Sequence, residues 1–145
     1  MKISKVRDVK SPTRANSTDA GIDFFVPTDF HTATLLAGDA VMIPSGIMVN
    51  VPAGFALIAF NKSGVATRKN LQVGACVVDS GYQGEIHIHL TNVGQQVQHI
   101  EAGDKIVQFV LLPLGDPTVE IVKENILYSE SSTRGTGGFG STGVK

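Results

Sequence analysis

Asp79 stands directly before Ser80 and Gly81 and three residues ahead of Tyr82. A carboxylate at the end of a strand, with its backbone held by the ladder and its side chain at the edge of a turn, can act as a general base toward a bound water. The same placement suits an aspartate that only accepts backbone N–H bonds within the turn, and residue type alone leaves both readings open. Tyr82 offers a ring that can pack on a ligand or on a cross-strand neighbour. Upstream, Lys62, Ser63 and Gly64 place a cation and a hydroxyl at the start of a short helical stretch, where backbone N–H groups can also face an anion; a plain helix start has the same pattern. Downstream, residues 134–143 read Arg-Gly-Thr-Gly-Gly-Phe-Gly-Ser-Thr-Gly. Such a Gly-rich run either links inertly or closes over an anion with its backbone amides. Arg134 brings a permanent charge, Phe139 a face for stacking, and Ser141 and Thr142 hydroxyl donors around Gly140.

The elements that must hold these residues are strands. Sixteen glycines and six prolines punctuate short runs rich in Val and Ile, the composition of a β-rich chain. Residues 41–51 and 55–60 read as strands joined through Pro52, Ala53 and Gly54, most simply as a hairpin. Residues 73–79 and 82–92 read as a second hairpin closed at Ser80 and Gly81 by a tight turn needing positive φ. In its outgoing arm Ile86, Ile88 and Leu90 alternate with Glu85, His87, His89 and Thr91, so one face of that strand is buried. Residues 106–112 are nearly all apolar and predict a strand covered on both faces. The one helical candidate is Ser63–Lys69, with the serine as its cap. From residue 129 the composition turns to Ser, Thr and Gly, which predicts one β domain over 1–128 and a flexible arm over 129–145.

The 145 residues suit a single core. A net charge of -1 with 17% charged residues removes the basic excess of a duplex-binding module. The longest apolar run is far shorter than the roughly 20 residues that cross a bilayer, so neither nucleic acid nor membrane is an expected partner. Residues 1–19 carry scattered charges with no apolar centre and are not read as a secretory signal. One cysteine, Cys76, suits a reducing, cytoplasmic setting. His87 and His89 share a strand face without a third ligand nearby in sequence, and they are read as strand surface or subunit contact rather than as a metal site.

Five segments in order, residues 19–23, 62–64, 73–84, 103–108 and 134–143, resemble the five motifs of the trimeric dUTPases. The match extends over nearly the whole chain, and its last segment is the most specific. The resemblance implies an all-β, jelly-roll-like β-barrel with little helix, assembled as a homotrimer whose active sites are shared between subunits. It implies hydrolysis of dUTP to dUMP and pyrophosphate, with Asp79 orienting the water that attacks the α-phosphorus and contacting the sugar 3′-hydroxyl. Tyr82 then packs on deoxyribose, where a 2′-hydroxyl would collide with the ring. Residues 73–78, with Cys76 and Val77, line the uracil site. Lys62, Ser63 and Gly64 grip the triphosphate, Gln108 helps hold the phosphate region or the water, and Asp23 supports the phosphate and metal-water network. Arg134, Phe139, Gly140, Ser141 and Thr142 form a lid, and Mg2+ is held chiefly by phosphate oxygens and water.

Two positions depart from the family pattern. Lys62 replaces an arginine and cannot reproduce its bidentate contact with phosphate, and Cys76 stands where many relatives carry glycine. Two rival readings follow from the same residues. A dCTP deaminase, alone or bifunctional, shares the fold but needs a glutamate at the position that His89 occupies. A non-catalytic nucleotide-sensing module would have no need of Asp79, Tyr82, Arg134 and Phe139 together.

Overall fold

The computed structural model describes residues 1–115 and 118–138. It divides into two compact units, Met1–Gly115 and Asp116–Lys145. The first is built from ten strands and one helix: β1 (Lys2–Lys5), β2 (Ile22–Phe25), β3 (Ala33–Leu35), β4 (Ala40–Asn50), β5 (Phe55–Asn61), α1 (Ser63–Lys69), β6 (Leu71–Val73), β7 (Val77–Val78), β8 (Glu85–Asn92), β9 (Gln98–Ile100) and β10 (Lys105–Pro113). One sheet has the order β1-β4-β8-β6, a second β2-β10-β5-β7, and a small third pairs β3 with β9. All named pairs are antiparallel. A single buried cluster draws Ile43, Ile47, Ile88 and Leu90 from the first sheet and Phe24, Leu57, Val107 and Phe109 from the second. This is the all-β, jelly-roll-like barrel that the resemblance implies. The second unit holds, among its described residues, a short 3-10 helix at Glu124–Ile126.

Period-2 alternation predicted the faces correctly. Ile86, Ile88 and Leu90 are buried on β8 while His87 is exposed and His89 half-buried. On β10, Ile106, Val107 and Phe109 are buried, but Leu112 near its end is not, so cover on both faces holds only for the first part of that strand.

Both expected hairpins are overturned. β4 pairs with β1 and β8, while β5 pairs with β10 and β7, so the turn at residues 52–54, with Gly54 at φ 78, carries the chain from one sheet to the other. The run from residue 71 to 78 is split in the same way. Its first part, β6, pairs with β8, and its last part, β7, pairs with β5 in the other sheet. Ser80 and Gly81 therefore do not close a two-residue hairpin, and Gly81 is not among the glycines with positive φ. A jelly roll needs such crossings because each sheet must cover the apolar face of the other.

A β-bulge shapes β4. Its register against β8 slips between Pro44 and Met48, with Gly46 at φ 72. A Cβ on Gly46 would lie 2.8 Å from a methyl of Val9, so this position admits only glycine on both counts. The Gly46 N–H donates to the Glu85 carboxylate at 2.7 Å, which ties the bulge to the start of β8. Helix α1 has the predicted bounds, but its N-cap is Lys62 rather than Ser63, without a side-chain capping bond.

Candidate active site

The loop at residues 79–84 hangs between the sheets because β7 ends in one and β8 begins in the other. Asp79 is exposed directly after β7. Its carbonyl accepts the Tyr82 N–H at 3.1 Å, which makes residues 79–82 a turn. The Tyr82 hydroxyl donates to the Glu85 carbonyl at 2.8 Å, and its ring lies across Gly84, where an added Cβ would be 2.4 Å from the phenolic oxygen. The anchor is itself held. The Arg7 guanidinium donates to Glu85 at 2.8 Å and to Asp29 at 3.1 Å. Burial would raise the Glu85 carboxyl, but hydrogen bonds from Arg7 and Gly46 outweigh it and hold the group below the usual carboxylate range.

A cavity of about 220 Å³ opens beside this loop, lined by residues 75–79, Tyr82 and His87 together with Met42, Ile86 and Phe109. It brings Cys76, Val77, Asp79 and Tyr82 together. Its walls are mostly apolar, with one carboxylate and one phenol, which suits a flat, weakly polar ring and a sugar. Cys76 is a half-buried free thiol packed against the core, and its carbonyl accepts the Ala59 N–H at 2.8 Å.

A second cavity of about 390 Å³ is lined by Lys62, Gly64, Val65, Arg68, Lys69 and Lys105. Four of its six lining residues are cations, the electrostatics of a polyanion site. At its edge the buried Asp23 carboxylate receives the Lys62 ammonium and, at 3.0 Å, that of Lys105. Burial would raise the Asp23 carboxyl, but the two lysine hydrogen bonds and charges outweigh it and hold it below the usual range. Strand pairing explains the meeting: Asp23 sits opposite Gln108, and β10 lies between β2 and β5, whose end leads into Lys62. Gln108 is thus in an interior strand. Its side-chain N–H donates to the Asn61 carbonyl at 2.9 Å, and its amide fills the space beside Gly21, where a Cβ would meet it at 2.1 Å.

Sequence reasoning missed two cations here. Lys105 was visible in the fourth segment, but only the β2–β10 register puts it on Asp23. Arg68 lies one helical turn after Gly64, and its guanidinium folds back to donate to the Gly64 carbonyl at 3.3 Å. Ser63 is exposed, and its carbonyl accepts the Thr67 hydroxyl at 2.7 Å.

The two cavities have no lining residue in common. In the second unit, Arg134 donates to the Gly137 carbonyl at 2.9 Å within a tight turn. Phe139, Gly140, Ser141 and Thr142 lie outside the described residues. His87 and His89 belong to no group of three His, Cys, Asp or Glu side chains that could hold an ion among the described residues. His87 contacts the Glu85 carbonyl at 3.0 Å, and the His89 Nδ1 accepts the Ala75 N–H at 3.2 Å. No helix among the described residues is long and apolar enough to cross a membrane.

Comparison with known proteins follows the same lines. A family model described as dUTPase matches residues 7–143. The chain is 36% identical over 148 residues to the deoxyuridine 5'-triphosphate nucleotidohydrolase of Clostridium acetobutylicum, covering 100% of this chain and 97% of that protein. It is 36% identical over 132 residues to the Saccharomyces cerevisiae protein of the same description, covering 91% and 86%. Among solved structures it is similar to the Staphylococcus bacteriophage 80alpha dUTPase with dUPNHPP, with a TM-score of 0.85, 25% identity, and coverage of 99% and 98%.

Proposed function

The chain belongs to the dUTPase family, and from that premise we propose how its own residues carry out the reaction. It is a dUTP diphosphatase: water attacks the α-phosphorus of dUTP, the bond to the α–β bridging oxygen breaks, and dUMP and pyrophosphate leave. The observation that carries the assignment of residues is the pair of cavities, one apolar with Asp79 and Tyr82 on its wall, the other walled by four cations.

Uracil and deoxyribose occupy the apolar cavity, against residues 75–78. Asp79, fixed by the β7 ladder but exposed, takes a proton from the attacking water and contacts the 3′-hydroxyl. Tyr82, pinned by its bond to the Glu85 carbonyl, presents its ring where a ribose 2′-hydroxyl would collide. Lys62, Ser63, Gly64 and Gln108 hold the triphosphate in the cationic cavity, with Arg68 and Lys105 beside them. The cavities share no lining residue, and the complete site draws on more than one subunit, the cations of one chain facing the Asp79 wall of another. A threefold homotrimer provides it three times over.

The cation-walled cavity and its single buried carboxylate, already paired with two lysines, form a donor set that fits a triphosphate carrying its own metal. Asp23, held by Lys62 and Lys105, would lie beside the water shell of a Mg2+ carried by the triphosphate, and that ion would supply charge neutralisation for the departing pyrophosphate. The arm, residues 129–145, closes over bound nucleotide through Arg134, Phe139, Gly140, Ser141 and Thr142. A free nucleotide substrate and a free thiol at Cys76 fit a cytoplasmic setting.

Pyrophosphate release from dUTP, dCTP, dTTP and UTP with magnesium, for the wild type and Asp79→Asn side by side, tests this reading. Release from dUTP alone, reduced about 10²-fold or more in the variant, is the expected result. Ammonia from dCTP would move the assignment to a deaminase.

A further inference from the structure

β6 pairs with β8 as far as Val73 opposite Leu90. At the next residue the Gly74 N–H still donates to the His89 carbonyl, at 3.0 Å. There the ladder stops, because the Ala75 N–H turns to the His89 side chain and donates to Nδ1 at 3.2 Å. A ring nitrogen that accepts a backbone N–H carries no proton, so this contact belongs to the imidazole with its hydrogen on Nε2. Gly74 makes the approach possible: a Cβ built on it would lie 1.9 Å from Nδ1 and 2.5 Å from Cε1. On the far side the Cys76 carbonyl accepts the Ala59 N–H. Residues 74–76 are therefore anchored to one sheet by His89 and to the other by Ala59, and Ala75 and Cys76 go on to line the 220 Å³ cavity.

We propose that His89 is a positioning residue for nucleobase recognition: its imidazole, laid over Gly74, fixes the backbone along the wall of the nucleotide cavity and so sets the affinity for dUTP and the preference for uracil over cytosine. The inference rests on the reading of that cavity as the base and sugar site. A wall that holds a base must keep its groups to within about 0.5 Å. Between the main-chain bonds at Gly74 and Cys76 the Ala75 N–H has no main-chain partner in either sheet, and the His89 side chain holds it. Neither Asp79 nor Tyr82 is touched by the anchor.

The test compares His89→Gln, His89→Asn and Gly74→Ala with the wild type, reading kcat and KM for pyrophosphate release from dUTP and dCTP and the inhibition constant of dUMP. The Asn amide oxygen can take the place of Nδ1, whereas the Gln oxygen is displaced by one bond. His89→Gln is expected to raise KM for dUTP and the dUMP constant about five- to tenfold, with kcat within about twofold and a lower dUTP/dCTP ratio. His89→Asn restores all three, and Gly74→Ala, which pushes the ring away, reproduces the Gln defect. Equal impairment in the Asn and Gln variants would make His89 a packing residue and overturn the inference, as would wild-type constants in His89→Gln. A wild type that neither hydrolyses dUTP nor binds dUMP would instead overturn the reading of the cavity, and the inference with it.

Discussion

Gly84→Ala is the substitution that most sharply tests how Tyr82 is held. The methyl would lie 2.4 Å from the phenolic oxygen and 2.6 Å from Cζ. Ordinary contact begins at 3.4 Å, so the ring must retreat by about 1 Å. That retreat breaks the 2.8 Å bond to the Glu85 carbonyl, worth about 1 kcal/mol. Under the role proposed for Tyr82, it would also move the ring from the position where it meets a 2′-hydroxyl. A misplacement of this size costs on the order of 10- to 100-fold in kcat/KM. Steady-state kinetics with dUTP and UTP should show that loss for dUTP together with a dUTP/UTP ratio reduced about tenfold. Gly81→Ala is the matched control: a Cβ there meets nothing within 4 Å, so its constants should stay within about twofold of wild type. Wild-type discrimination in Gly84→Ala would refute the role given to the Tyr82 ring, and an equal loss in Gly81→Ala would show that the loop responds to any added side chain.

Acid sensitivity should trace to Asp23 and Glu85. Both carboxyls are held below the usual range in the folded chain, so the unfolded chain binds more protons between the folded values and about pH 4. Their contribution is complete above that pH and is lost as the pH falls through the folded values; urea titrations should show stability falling there, with a flatter profile in Asp23→Asn. At neutral pH the same variant should lose roughly 1–2 kcal/mol, less than a fully buried pair because Lys105 is nearly half exposed. Asn92 is fully buried and bonds the carbonyls of Leu35, Leu36 and Gln96 and the N–H of Gly94. Asn92→Ala should therefore cost about 3 kcal/mol in urea denaturation, with the carbonyls left dry.

Much of the chemistry was legible in the sequence because it resides in residue types and their order. The five segments announced a nucleotide, and the structure brings Cys76, Val77, Asp79 and Tyr82 to one cavity and Asp23, Lys62 and Gln108 to one neighbourhood. The buried face of β8 was also legible, since a 2.0-residue period is a property of the local chain, and the bounds of α1 matched although its cap is Lys62 rather than Ser63. Partner choice is not. Alternation along residues 41–60 and 71–92 says which side chains turn inward but not which strand lies alongside, and two plausible hairpins were in fact crossings between sheets. Only the pairing of distant strands puts Lys105 and Lys62 on the Asp23 carboxylate and lays His89 on Gly74. Each joins residues that are local in space and distant or unmarked in sequence. Sequence by itself thus determined what chemistry the chain carries, and tertiary structure decided which groups hold the reacting parts in place, because closing one core between two sheets overrides what each segment would do alone.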